Sequence, residues 1–350
     1  MSEDIWSERD TNPDAIEAAL RVLLHQRHAA NEALAPARVL NLVVVVDREW
    51  KGEIANRLER VGRYQASRTV LCAVEADRRT LDAIATVSNS EPVNGFGVMH
   101  EQVEIDMGPE HLSVLRTIVD PVLVSEIPTL LWSPHGHDEA IEALLPITDV
   151  MLVDSDGLLE PAEAFGRARE LLEHAYVVDL AWLRTTPWRE RLAASFDLPA
   201  RLPALERIAG LAIRHQAIST ASGLLLVGWL SSRLHWEGEA LQRLNGAGLR
   251  GARRRSSGEV AIGLHRTNQE APGLGGVTVT CVNGFALSLD RASGGLCAQE
   301  RSPDGHTLTW KILGASRGEC GILGEGVRQA LLRDPTYGPA LDAARGLCPA

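Results

Sequence analysis

Residues 38–46, RVLNLVVVV, constrain the fold more than any other stretch of this chain. Aliphatic side chains follow one another there without the alternation of a strand that keeps one face wet. Such a run suits a strand buried on both faces, and therefore a mostly parallel sheet with helices on either side. The flanking sequence agrees. Thr11-Asn12-Pro13-Asp14 offers a capping side chain followed by Pro at a first helical position. Ile16, Leu20, Leu23 and Leu24 then recur at helical spacing, which predicts an amphipathic helix over 13–34. A helix over 50–63 and a second buried strand at 68–75 (RTVLCAVE) follow. Residues 77–98 mix a strand-like LDAIATV with NSEPVNGFG, a loop by composition, and 99–106 (MHEQVEID) alternate as a strand. Gly108-Pro109-Glu110 opens a helix, Pro121 breaks the apolar run behind it, and PTLLWS at 128–133 is another short buried strand. A helix over 137–145, a strand at 149–154 and a helix at 160–174 complete an α/β domain at residues 1–175. It is Rossmann-like, with a mostly parallel sheet.

The second half has another rhythm. A helix is expected over 188–197, a strand at 205–214 and a long apolar helix over 220–236. Short strands follow at 259–265, 276–282, 284–290, 295–300 and 307–313, and helices at 319–333 and 336–345 close the pattern. Asn283-Gly284 and Asp304-Gly305 are two-residue hairpin turns. This is an α+β C-terminal domain with antiparallel strands, at residues 176–350.

With 350 residues, two domains need no covalent staples. The formal net charge of −11 disfavours a nucleic-acid partner. The start, MSEDIWSERD, lacks the basic and apolar regions of a signal peptide. The longest apolar run, Leu224–Leu230, is far short of the roughly 20 residues of a membrane span. Cys72, Cys281, Cys297, Cys320 and Cys348 form no CxxC pair. A cytoplasmic chain with reduced thiols and no membrane attachment is the expectation.

No complete catalytic constellation can be assembled from the residues. A dinucleotide site needs G-x-G-x-x-G directly after the first parallel strand, but here VVVV runs into Asp47-Arg48-Glu49-Trp50-Lys51-Gly52. No cofactor is expected. The glycines of 273–276 and 321–326 lack the Lys-Ser/Thr of a phosphate loop and suit turns and close packing. His135, His137 and Asp138 form no recognised metal set, and His25 with His28 suits an exposed helix face. Cys281 and Cys297 lie in neighbouring predicted strands. Cys320 lies at a helix start, where a thiol's pKa falls. The basic cluster Arg250 to Arg255 reads as a solvated Gly/Ser-rich connection, or as an electrostatic contact for an acidic surface or a phosphate-bearing ligand. An enzyme or sensor that binds a nucleotide or sugar phosphate at the C-terminal edge of the first sheet, near His135 and Asp154, is the alternative reading.

Residues 179–192, DLAWLRTTPWRERL, stand out in a chain with only 4% aromatics. Trp and Arg dominate interface hot spots because each joins a large contact area to directional polar bonding. Pro187 can open a helix through Leu192 and Phe196, with Thr186 as its cap. Asp179, Trp182, Arg184, Thr186, Pro187, Trp188 and Arg189 are thus candidates for a partner contact, a domain junction, or both. The run resembles the D-x-A-W-x-R-x-T-P-W-R hallmark of the OpcA family of glucose-6-phosphate dehydrogenase assembly proteins. It matches at Asp179, Ala181, Trp182, Arg184, Thr186, Pro187, Trp188 and Arg189. RVLNLVVVV, Ser67-Arg68-Thr69-Val70 and Ile127-Pro128-Thr129-Leu130-Leu131-Trp132-Ser133-Pro134 are similar to further family segments in the same order. Ser67 stands where a Cys is common, and Trp132 is not followed by a second Trp. The resemblance implies a non-catalytic subunit that binds glucose-6-phosphate dehydrogenase and favours its active form in the oxidative pentose phosphate pathway.

Overall fold

The computed structural model describes residues 3–30, 38–62, 67–89, 99–157, 160–197, 199, 201–244, 248–256, 258–313 and 319–349. The chain divides into two compact units. Unit 1 holds residues 1–153, 174–178 and 327–332, and unit 2 holds 154–173, 179–326 and 333–350.

In unit 1 the chain runs through β1 (Glu3–Glu8), α1 (Pro13–Ala30), β2 (Leu40–Asp47), α2 (Lys51–Gly62), β3 (Ser67–Val74), β4 (Asp82–Asn89) and β5 (Met99–Met107). It continues through α3 (Leu115–Val119), β6 (Thr129–Trp132), α4 (Asp138–Leu144) and β7 (Val150–Val153). After α5 (Pro161–Leu171), which lies in unit 2, comes β8 (Tyr176–Asp179). The eight-stranded sheet has the order β1-β4-β5-β3-β2-β6-β7-β8. β5, β3, β2, β6 and β7 pair in parallel, while β1 and β4 add an antiparallel edge. β2 is central, and Leu40, Leu42 and Val43 through Val46 are all buried. The sequence supplies no polar face there because the sheet has none at that strand.

Two buried polar groups in this core are fully matched. The Asn41 side chain donates to the Val124 carbonyl at 3.0 Å and accepts from the Val124 amide at 3.0 Å, which fixes the turn after Pro121. Glu101 lies between Arg68 at 2.6 Å and Arg38 at 2.5 Å. The order of the parallel strands reverses between β2 and β6. Asp47 and residues 133–137 therefore lie at the crevice where this architecture usually takes ligands.

Unit 2 contains α6 (Leu180–Phe196), α7 (Leu202–Leu205), β9 (Ile208–Gln216), α8 (Thr220–Leu234), β10 (Gln242–Leu244), β11 (Gly248–Arg255) and β12 (Gly258–Thr267). Then come β13 (Leu274–Cys281), β14 (Ala286–Ala292), β15 (Gly295–Arg301), β16 (Thr307–Leu313), α9 (Glu319–Gln329) and α10 (Tyr337–Arg345). Its eight-stranded sheet has the order β10-β11-β12-β9-β13-β14-β15-β16, and β12–β9 is its parallel pair. Leu224 through Val227 of α8 are buried to the last atom. Gly228 lets α10 come against α8: a Cβ there would sit 2.2 Å from the Ala340 carbonyl oxygen.

The fold class agrees with the sequence reading, and several local expectations change. Helix α6 starts at Leu180 rather than at Pro187, and Thr186 does not cap it. Residues 250–255 are not a connection but most of β11, paired with β12 along its length. The stretch reads Arg-Gly-Ala-Arg-Arg-Arg, so the apolar signal of a strand is missing. β1, β8 and β10 also went unread, being short or polar. Cys281 and Cys297 do not meet, because β14 lies between their strands and separates them by about two spacings of 4.8 Å. Residues 31–34 and 90–98 lie outside the described set, as does the Cys320 side chain.

Gly228→Ala is expected to cost about 1–3 kcal/mol of stability by overpacking α8 against α10. Gly166→Ala, inside α5 with nothing within 4 Å of the added carbon, is expected to gain up to about 1 kcal/mol. Paired urea unfolding curves measure both.

Candidate functional site

Helix α6 begins where the chain leaves β8. Asp179 is its N-cap, with Oδ1 accepting from the Ala181 amide at 2.9 Å. The same carboxylate accepts from the Ser155 amide and hydroxyl at 3.1 and 2.7 Å and from the Tyr337 hydroxyl at 3.0 Å. Burial raises the pKa of Asp179, and the Ser155 hydrogen bond opposes the rise.

One turn on, Trp182 is 2% exposed. Its indole donates to Asp334 Oδ2 at 2.9 Å, and its ring tilts against Tyr337 at 5.7 Å between centroids. The Arg189 guanidinium lies 3.5 Å over the Trp182 ring centroid, a cation–π contact. Arg189 also donates to Thr185 Oγ1 and Thr186 Oγ1, each at 3.0 Å. Burial lowers its pKa to about 10, against the pull of Asp334. Burial acts to raise the Asp334 carboxyl, but the Thr336 hydroxyl and amide, the Trp182 indole and Arg189 together hold it below its ordinary value.

Arg184 makes the strongest pair. Its two terminal nitrogens meet the two oxygens of Asp154 at 2.7 Å each, the fork geometry that suits guanidinium to carboxylate. Asp156 Oδ2 lies 3.6 Å from the same guanidinium and accepts from the Ser222 hydroxyl at 2.5 Å, while Oδ1 accepts from the Ser222 amide at 3.0 Å. Burial pushes Asp156 up to about 7, helped by the Asp154 charge and resisted by Ser222 and Arg184.

The helix tolerates Pro187 inside it because these contacts outweigh a lost turn bond. An interior Pro removes one amide donor and costs about 3 kcal/mol. Trp188 is buried to 2% exposure, Leu192 and Phe196 continue the same buried stripe, and the Asp179 cap secures the start. The Thr185 hydroxyl donates to the Trp182 carbonyl at 2.7 Å in the turn before the proline. Sequence reasoning placed the helix start at the proline because helix preference favours that position, and burial overrides preference here.

The hallmark side chains thus meet one another and the residues that follow the chain's passages into unit 2: Asp154, Asp179 and Asp334. Ser155, Asp156, Ser222 and Tyr337 belong to the same network, and sequence reading did not find them. Asp154 and Asp156 carried a signal, being acids directly after a buried strand.

Other candidates are placed elsewhere. In unit 1, His137 Nε2 lies 3.2 Å from Asp47, and the His135 ring stacks at 5.6 Å on Trp50. No cluster of His, Cys, Asp or Glu fit for a metal exists among the described residues. His25 and His28 are exposed on α1. Gly273, at φ +89°, packs against the Arg184 stem, while residues 321–326 lie within α9. In β11, Arg253 is buried and donates to the Gly238 carbonyl at 2.7 Å, so that part of the basic run is structural. No helix among the described residues is long and apolar enough to cross a membrane.

Residues 58–170 match the model of a glucose-6-phosphate dehydrogenase subunit N-terminal domain, and residues 175–307 that of the C-terminal domain of the same subunit. The chain is 32% identical over 133 residues to a protein of Nostoc punctiforme named provisionally as an OxPP cycle protein, OpcA. That stretch covers 37% of this chain and 29% of the relative. A protein of the same name from Synechococcus elongatus is 28% identical over 141 residues, 39% of this chain and 32% of its own length. The matched stretch thus spans under a third of either relative. An oxidoreductase from Sinorhizobium meliloti superposes with a TM-score of 0.51 at 11% identity, over 89% of this chain and 94% of that one. A super-repressor mutant of Gal80p from Saccharomyces cerevisiae also gives 0.51, at 8% identity over 88% and 94%. These two likenesses establish the shared fold alone.

Trp188→Ala is expected to cost about 3–5 kcal/mol, read in urea unfolding. The raised pKa of Asp156 sets a pH dependence. Between about 4 and 7 the folded state holds a proton that the unfolded state has released, so this group's contribution to stability falls as pH rises. Asp156→Asn is expected to remove that part of the slope, which amounts to at most ~1.4 kcal/mol for each step of one in pH. Unfolding free energies of both proteins from pH 4 to 8 give the difference directly.

Proposed function

We propose that this chain, which belongs to the OpcA family of glucose-6-phosphate dehydrogenase subunits, is a non-catalytic partner that binds glucose-6-phosphate dehydrogenase and favours its active form. It would act in the cytoplasm, in the oxidative pentose phosphate pathway. The observation that carries this reading is the match of residues 58–170 and 175–307 to the two domains of one subunit family. The state of the hallmark side chains supports it. Their polar groups are spent on one another and on Asp154, Asp179 and Asp334. A catalytic group needs to reach a substrate atom. In this reading Asp179, Trp182, Arg184, Thr186, Pro187, Trp188 and Arg189 position the surface that meets the enzyme, acting through the rigidity of α6.

The effect on the enzyme follows from linkage. A subunit that binds the active form better than the inactive one shifts the balance by its difference in affinity, and about 1–3 kcal/mol gives about 5- to 150-fold.

Added in slight excess to the host's purified dehydrogenase, the chain is expected to co-elute with it and raise its specific activity at least about fivefold. Separate elution with unchanged activity would sink the proposal, as would turnover of a metabolite by the chain alone.

A further inference from the structure

Unit 2 contains a cleft of 580 Å3 that borders the α6 network at Ser155. Its volume is within the ordinary range of small-molecule sites. Ala221, Leu224 and Leu249 give it an apolar floor. Helix α8 begins in this cleft without a side-chain cap. Ser219 stands at the capping position, yet its hydroxyl accepts from the Gly273 amide at 2.8 Å instead. The Ser222 amide goes to Asp156 and that of Gly223 to the Ser219 carbonyl. The amides of Thr220 and Ala221, both lining the cleft, have no partner among the described residues. Helix starts left open in this way favour anionic groups.

A second, independent feature points into the same space. His215 is 1% exposed and lines the cleft. Its Nδ1 lies 2.8 Å from the Gln216 carbonyl. A carbonyl only accepts, so Nδ1 carries the proton and Nε2 is left as an acceptor. Nε2 has no protein partner among the described residues. Burial lowers the pKa of this imidazole, though the Gln216 bond opposes it. Arg266 is the register partner of His215 across β12 and β9, so both side chains leave the same face of the sheet. Arg266 lines the cleft and has no ion pair among the described residues.

The rim also carries Glu163, and Glu160 paired to Arg243 at 2.9 Å. A bare anion would meet those carboxylates with nothing to offer them. A ligand with an anionic end and a hydroxylated body satisfies both halves of the lining. No Phe, Tyr or Trp borders the cleft among the described residues, so it lacks the broad aromatic faces that most often stack a nucleobase.

We propose that this cleft binds a phosphorylated sugar, with its phosphate at the Thr220 and Ala221 amides and Arg266 and a hydroxyl donating to His215 Nε2. The proposal concerns the chain by itself and does not depend on association with a dehydrogenase.

Calorimetric titration of the purified chain with a hexose 6-phosphate, a pentose 5-phosphate, the free hexose and inorganic phosphate tests it. One of the two sugar phosphates is expected to bind at least about tenfold more tightly than inorganic phosphate and the free hexose. Arg266→Glu, an exposed substitution that leaves the core alone, and His215→Leu are each expected to weaken that binding about tenfold. Sugar phosphates that bind no better than inorganic phosphate would mean an adventitious anion site and overturn the proposal. Affinity unchanged in Arg266→Glu, with that variant's thermal midpoint preserved, would overturn it too.

Discussion

The fork between Arg184 and Asp154 is the interaction on which unit 2 depends most. Three carboxylates, Asp154, Asp156 and Asp179, stand close together in a largely buried setting. Like charges at such separations repel strongly where water is excluded. The arrangement holds because each acid has a dedicated set of donors. Arg184 takes Asp154 with both arms, Ser222 serves Asp156, and Ser155, Ala181 and Tyr337 serve Asp179. Lysine would not replace the guanidinium equally, since a point charge lacks the planar fork that meets both oxygens of Asp154 and still lies within reach of Asp156.

This explains why the DLAWLRTTPWRERL run is dense in chemistry yet not in reactive groups. Both Trp, together with Arg184 and Arg189, have structural jobs. Asp179 starts the helix, and Arg184 collects the loop after β7. Trp182 and Arg189 hold Asp334 ahead of α10, while Trp188 anchors the helix in its core. Removing one charged member leaves its partner buried without compensation, which is more damaging than never having had the pair.

The sequence disclosed most about elements defined by apolar pattern. β2, β3, β6 and α8 were readable because apolar side chains dominate them. What escaped notice was held by tertiary contacts. β11 is written in Gly and Arg, and its neighbours make it a strand. α6 runs through a proline because its buried face carries the energy. The partners of the hallmark acids, Ser155, Ser222 and Tyr337, are ordinary residues by type and become legible only once the chain is folded. The same is true of the cleft. Its two open amides result from Ser219 turning to Gly273, a choice that no local pattern announces.

The division of the chain has a consequence for how it is made. Unit 1 is not complete at residue 178, because residues 327–332 belong to it, and the Tyr176 hydroxyl donates to the Leu332 carbonyl at 3.4 Å. All eight strands of the first sheet are made by residue 179, but at about 5–20 residues per second residues 327–332 follow only roughly 8–30 s later. All of β9 to β16 emerges in the meantime. The nascent polypeptide therefore lacks the last segment of unit 1 until most of unit 2 has been made.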